Sequence, residues 1–258
     1  MKSIIILIAG LIICYLLMVA LLYFMQRSLL FNPVPPVDGI STQTISFIND
    51  DITLQGWVLN QGKPRTLIYF GGNSEDITAN IPLFEDLFRN HTVYLVNYRG
   101  YGSSQGSPTE AGLFSDAMAI YDQIRHQHSS ISLMGRSLGS GVAVYLASLR
   151  DIDRLLLLTP YDSISEVAQT HYPYFPTSYL IKDRFDSLAY AGSLKLPVLI
   201  VTAEFDRVVP VKHAENLRDG LTDSEVSYHL VNGAAHNNVT DFSQYREIVR
   251  AFLKKAKI

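Results

Sequence analysis

One stretch limits the possible folds of this chain more than any other. Residues 131–141 read ISLMGRSLGSG. A short apolar run of strand character breaks at Gly135, Ser137 and Gly139 into a Gly-x-Ser-x-Gly pattern. It then continues into residues 142–149, an apolar run that reads as a buried helix. The pattern by itself is a common Gly/Ser turn; placed between a strand and a helix it is a nucleophile elbow. The reason is steric. The serine occupies a sharp turn with a strained backbone, and the flanking glycines let strand and helix pass close to each other. Such a turn lifts the Ser137 hydroxyl out of a sheet and leaves the Leu138 amide free at a helix N-terminus.

The 258 residues carry 24 acidic and 21 basic side chains, a net charge of −3 that gives no reason to expect nucleic acid or another acidic partner. Charged residues make up 17% of the chain, below the roughly 25% of an average soluble protein. Much of the deficit lies at the start, because residues 3–25 contain no charged side chain and no histidine. As a helix this segment is about 34 Å long, enough for a hydrocarbon core of about 30 Å. Tyr15, Tyr23 and Phe24 lie in it, the last two near one end, where interfacial aromatics belong. A cleaved signal peptide has a shorter apolar region followed by a small-x-small site. Here the run passes instead into the sequence QRSLLF at residues 26–31. The expected organisation is therefore an uncleaved, single-pass membrane anchor with its juxtamembrane segment at 1–32, and a folded domain at 33–258. Lys2 and the amino terminus outnumber Arg27, a small bias toward a cytoplasmic N-terminus and a domain on the non-cytoplasmic side. The one cysteine, Cys14, sits inside the anchor, so no disulfide forms within the chain. The Ile13 before it is too large for a lipoprotein cleavage site.

Past an extended linker with Pro33, Pro35 and Pro36, residues 44–48 and 52–59 alternate apolar and polar around an Asn-Asp-Asp turn, the pattern of an antiparallel hairpin. Buried strands are expected at 66–70, 92–97, 131–135, 154–159, 197–202 and 226–231. Helices are expected at 81–88, 110–126, 142–149, 211–221 and 240–255. Unbroken apolar strands alternating with helices predict an α/β fold, a mostly parallel sheet with helices on both faces. Residues 161–196 interrupt the alternation with prolines and many aromatics and read as a small helical cap insertion.

A serine hydroxyl needs a base to take its proton and a carboxylate to orient that base. In an open α/β sheet these partners belong at the carboxyl ends of strands. Asp206 lies in the turn after the strand at 197–202, and His236 leaves the last strand through a Gly turn. The candidate catalytic set is Ser137, Asp206 and His236, with Glu204 and Asp162 as rival acids. Of the other histidines, His213 is assigned to a surface helix, and His91, His126, His128, His171 and His229 to surface or packing roles. The expected oxyanion hole pairs the backbone amide of Leu138 with that of Asn73, in the Gly-rich loop after the strand at 66–70. No cluster of ligands has metal spacing and no Gly-x-Gly-x-x-Gly follows the first strand, so neither metal nor cofactor is implied.

The residues then support a resemblance. QRSLLFNP at 26–33, YFGGN at 69–73, NYRGYGSS at 97–104, GRSLG at 135–139, KDRFDS at 182–187, DRVVP at 206–210 and His236-Asn237 are together similar to the α/β-hydrolase superfamily. More narrowly, they resemble its small signal-anchored, serine aminopeptidase-like members of the bud-emergence type. Gly71 stands where that pattern often has histidine. The resemblance implies a membrane-bound serine hydrolase acting on carboxylic esters or thioesters through an acyl-enzyme on Ser137. A peptidase or amidase, or a hydrolase-fold protein that binds a ligand or partner without turnover, are the alternatives.

Overall fold

The computed structural model describes residues 1–254. A single helix, α1 (Lys2–Leu30), opens the chain; it is long and apolar enough to cross a membrane, and none of its residues is fully buried. The segments expected to be strands then build one eight-stranded sheet. These are β1 (Thr44–Asn49), β2 (Ile52–Leu59), β3 (Arg65–Phe70), β4 (His91–Val96), β5 (Ser130–Arg136), β6 (Arg154–Leu158), β7 (Val198–Ala203) and β8 (Val226–Val231). Their spatial order is β1-β2-β4-β3-β5-β6-β7-β8. The β1–β2 and β2–β4 pairs are antiparallel and all the others are parallel.

The period-two alternation of the central strands sorts their side chains onto two cores. Ile68, Phe70, Leu133, Leu155, Leu157, Val198 and Ile200 face one side, where α3 (Glu110–Ile124), α4 (Leu138–Leu149) and α8 (Val211–Gly220) pack. Leu67, Tyr69, Met134, Leu156, Leu158, Leu199 and Val201 face the other, under α2 (Ile81–Leu87) and α9 (Ser243–Lys254). The helix expected at 240–255 thus begins three residues later, after a 3₁₀ turn at Val239–Asp241, and its expected last residue lies outside the described ones. Strands apolar on both faces are what a sheet sandwiched between helices requires.

The insertion between β6 and β7 folds into three short helices, α5 (Ile164–His171), α6 (Thr177–Leu180) and α7 (Ser187–Ala191). Its aromatics divide sharply. Tyr161 and Phe185 are wholly buried in the core, whereas Tyr172, Tyr174 and Tyr179 stand in the open. The insertion is tied to the start of α3 by a reciprocal pair of contacts. The Glu110 carboxylate accepts from the Arg184 and Phe185 amides, at 2.8 Å each, and the Glu110 amide donates to Asp183 Oδ1 at 2.9 Å.

α1 does not stand apart from this body. Arg27 donates to Asp183 at 2.7 Å, and Gln26 exchanges hydrogen bonds with the Leu180 carbonyl and the Lys182 amide. Phe31 is buried in the sheet-side core, edge-on to Phe185 with ring centroids 6.2 Å apart. Val34 then offers its carbonyl to the Gly102 amide.

Candidate active site

The elbow forms as the residue pattern requires. Ser137 has φ 48 and ψ −116, in the left-handed half of the map that a β-carbon resists. Its amide is held by the Leu158 carbonyl of β6 at 2.9 Å. The glycines at either side are obligatory. A β-carbon on Gly139 would lie 2.0 Å from the Phe70 carbonyl oxygen, and one on Gly135 would lie 2.3 Å from that of Gly139. The strain at Ser137, of order 1–3 kcal/mol, is thus sustained by close packing on both sides.

The two remaining members of the expected set arrive from the neighbouring strand ends. His236 Nε2 lies 3.0 Å from Ser137 Oγ, and His236 Nδ1 lies 2.7 Å from Asp206 Oδ2. Asp206 follows β7, where its other oxygen accepts from the Val208 and Val209 amides at 2.9 and 2.7 Å. With Oδ1 filled by two amides, the one free direction of this carboxylate faces the imidazole. An ionised carboxylate only accepts, so Nδ1 carries the ring proton and Nε2 is left to accept from the Ser137 hydroxyl. The loops that bear acid and base are laced together: the Phe205 amide donates to Ala234 and the Gly233 amide donates to Glu204. Glu204 therefore braces the turn before His236 rather than the imidazole itself.

Asp162, the other rival, is also engaged elsewhere. Its carboxylate meets His213 Nδ1 at 2.8 Å, Asn216 Nδ2 at 2.7 Å and the Ser163 amide at 2.7 Å. Burial pushes its pKa up, but these hydrogen bonds outweigh burial and leave the carboxyl below its ordinary value. His213 is thus buried, against the expectation of a surface role. The helix that carries it is amphipathic, but its inner face meets the carboxylate of the β6–α5 junction as well as apolar core. Its Nε2 lies 3.0 Å from Thr170 of α5, so this pair ties the insertion to α8.

Leu138 follows Ser137 at the start of α4, and Asn73 follows Gly72, whose position lies against Ser137. Neither backbone amide has an acceptor among the described residues. The loop bearing Asn73 comes close to the elbow: a β-carbon on Gly72 would be in ordinary contact with Ser137 Cβ, at 3.7 Å. Two groups that sequence reasoning passed over hold this loop. Glu75 accepts from the Gly72 amide, the Tyr69 hydroxyl, Asn80 Nδ2 and Arg136 Nη1. Arg136 also donates to the Asn237 carbonyl at 3.3 Å, so it bridges the loop of Asn73 and the loop of His236. A lone charge in the apolar strand just before Ser137 was the available signal. The Asn73 side chain is occupied too. Its Oδ1 accepts from the Asn32 amide at 2.9 Å and the Tyr101 hydroxyl at 2.7 Å, and its Nδ2 donates to the Leu30 carbonyl at 2.6 Å.

A serine elbow on the fifth of eight strands, with an acid after the seventh and a histidine after the eighth, has the chain order and sheet of an α/β-hydrolase. Solved structures share the fold. The esterase Pf2001 of Pyrococcus furiosus superposes with a TM-score of 0.71 at 19% identity, covering 87% of this chain and 97% of that one. Est1E from Butyrivibrio proteoclasticus, solved with ferulic acid bound, gives 0.66 at 18% identity over 81% and 97%. An uncharacterized protein of Mycobacterium tuberculosis (strain H37Rv) is 30% identical over 90% of this chain and 89% of its own. An uncharacterized membrane protein of Saccharomyces cerevisiae is 29% identical over 95% and 94%. Protein bem46 of Schizosaccharomyces pombe is 27% identical over 81% and 75%. No protein-family model matches the chain. The chain belongs to the bud-emergence type of α/β-hydrolases.

Proposed function

We propose that this protein is a membrane-anchored serine hydrolase that cleaves carboxylic esters or thioesters. The observation that carries the reading is the continuous relay from Ser137 Oγ through His236 to Asp206. Ser137 Oγ attacks the substrate carbonyl while His236 Nε2 takes its proton. Asp206 keeps the imidazole in the required tautomer and steadies the imidazolium. The negative oxygen of the tetrahedral intermediate is received by the free amides of Asn73 and Leu138. His236 then gives its proton to the departing alcohol or thiol, and the acyl group stays on Ser137. Water, deprotonated by the same histidine, releases the acid and restores the serine.

The length and apolar character of α1 support a single-pass anchor, as does the naming of a yeast relative as a membrane protein. The test is labelling of the full chain by a fluorophosphonate probe, together with turnover of p-nitrophenyl esters. Both are expected in the wild type and both are expected to vanish in Ser137→Ala. Absence of labelling and turnover in the wild type would instead favour a ligand-binding protein on a hydrolase scaffold.

A further inference from the structure

A cavity of about 250 Å³ lies between α1 and the insertion. Leu22, Leu29 and Leu30 form one wall, and Val167, Ala168 and Leu180 form part of the other. Each wall is linked through one neighbour to the elements that hold the serine. Leu30 gives its carbonyl to Asn73 Nδ2, and the opposite wall starts at Ile164, a few residues past the Leu158 carbonyl that holds the Ser137 amide.

The insertion also climbs along α1. The Tyr15 hydroxyl donates to the Tyr174 carbonyl at 2.9 Å, and the Tyr15 ring stacks on Phe175 with centroids 5.8 Å apart. Tyr15 stands about 22 Å along the helix from Leu30. The part of α1 that precedes Tyr15 is only about 20 Å long, short of a hydrocarbon core of about 30 Å. A spanning α1 therefore needs some of the length that runs beside the insertion, which places the tip of the insertion inside the leaflet. Tyr174 at that tip is 85% exposed, as a side chain of a membrane-interface belt is.

We propose that this cavity receives the acyl chain of a bilayer lipid ester, which enters sideways from the leaflet between α1 and the insertion. The proposal rests on the serine-hydrolase reading and adds the substrate class to it. α1 is then a wall of the substrate site as well as an anchor. The acyl carbon passes to Ser137 Oγ, the lipid alcohol leaves with the proton from His236, and water later releases the fatty acid.

The test uses the full chain in detergent micelles. For the wild type, kcat/KM is compared for p-nitrophenyl acetate and octanoate, and for dioctanoylglycerol against an S-octanoyl cysteine peptide. Leu29→Trp and Ala168→Trp fill the cavity from its two walls; Leu29 is exposed enough for the first to fold. The octanoate-to-acetate ratio should fall about tenfold or more in both. Equal change on both esters, or no change, would overturn the proposal. Preference for the S-acyl peptide would overturn the lipid assignment. Binding of a fluorescent fatty acid to Ser137→Ala separates the cavity from the chemistry. That binding should weaken about tenfold when Leu29→Trp is added, and failure to bind at all overturns the cavity. Ester turnover persisting in Ser137→Ala would overturn the serine reading alone.

Discussion

Arg136 Nη1 lies 2.9 Å from Glu75 Oε1, so the residue next to Ser137 grips the loop that carries Asn73. Both side chains are nearly closed off from water. Burial pulls the Arg136 pKa down, but the Glu75 carboxylate more than restores it and keeps the guanidinium charged. Glu75→Gln removes the charge on which the Gly72 amide, Tyr69 and Arg136 converge. We expect kcat to fall about 10²-fold, the scale of an ångström of misplacement, with KM little moved. Single-turnover acylation kinetics check this, and an unchanged acylation rate would leave the loop rigid without Glu75.

The three acids near the site have separate expected outcomes. Asp206→Asn should cost about 10⁴ in kcat through the wrong imidazole tautomer. Glu204→Gln should change the rate little. Asp162→Asn breaks a buried carboxylate–imidazole contact and should lower stability by about 3–5 kcal/mol while the folded fraction still turns over ester. Activity normalised by active-site titration, set beside denaturant unfolding, separates these effects.

Asn73 acts through two parts of one residue. Its amide belongs to the proposed oxyanion hole, whereas its side chain is clasped by Leu30, Asn32 and Tyr101. Asn73→Ala keeps the amide and removes the clasp. A fall in kcat of about tenfold to 10²-fold is expected from the loosened loop, larger than for Tyr101→Phe, which removes one of the three bonds. Equal rates for wild type and Asn73→Ala would show that the clasp has no part in holding the hole.

At the opposite end of the sheet, burial, with Arg65 and Arg154 nearby, brings the His91 pKa down from 6.5 to about 4. Its Nδ1 is buried with no partner among the described residues. Between these two values the unfolded chain binds a proton that the native chain does not, so stability falls as pH drops from about 6.5 toward 4. The loss from this residue has a ceiling of about 3 kcal/mol, at roughly 1.4 kcal/mol per tenfold. Urea midpoints across that range should slope less steeply in His91→Gln than in the wild type; equal slopes would remove His91 as the cause.

α1 should hold the full chain in the membrane pellet through a carbonate wash, with release by detergent. A mature N-terminus near residue 28 would show that the segment is a cleaved signal.

The sheet was legible in the sequence because its causes are local. Apolar runs at 66–70 and 198–203 have no charged side chain to turn outward, and the glycines at 135 and 139 mark a sharp turn from such a strand into a buried helix. The order Ser137, Asp206, His236 followed from the same reading, since each stands just past a strand. What escaped were hydrogen bonds between residues far apart in the chain. Arg27 meets Asp183, Asn32 meets Asn73, and Asp162 meets His213 51 residues later. A hydrogen bond across such a separation leaves no periodicity in either segment. His213 could be placed on a helix but not on the side that meets Asp162. The docking of α1 along the insertion was invisible for the same reason, because an uncharged helix reads alike whether lipid or protein lies against it.

The junction at Leu30, Phe31 and Asn32 has a mechanical consequence. A leash would let the reaction centre sweep over the membrane and reach esters at many heights. Here the chain leaves α1 directly into a buried phenylalanine and a hydrogen-bonded asparagine, with no slack between them. On a bilayer this is a strut. With α1 spanning a bilayer as proposed, it would set the altitude of Ser137 above the lipid plane and its bearing around the helix axis, so tilting α1 would tilt the serine with it. In the proposed membrane-bound hydrolase, selection would work partly by elevation: a carbonyl would be accessible only at the height where the strut holds Ser137.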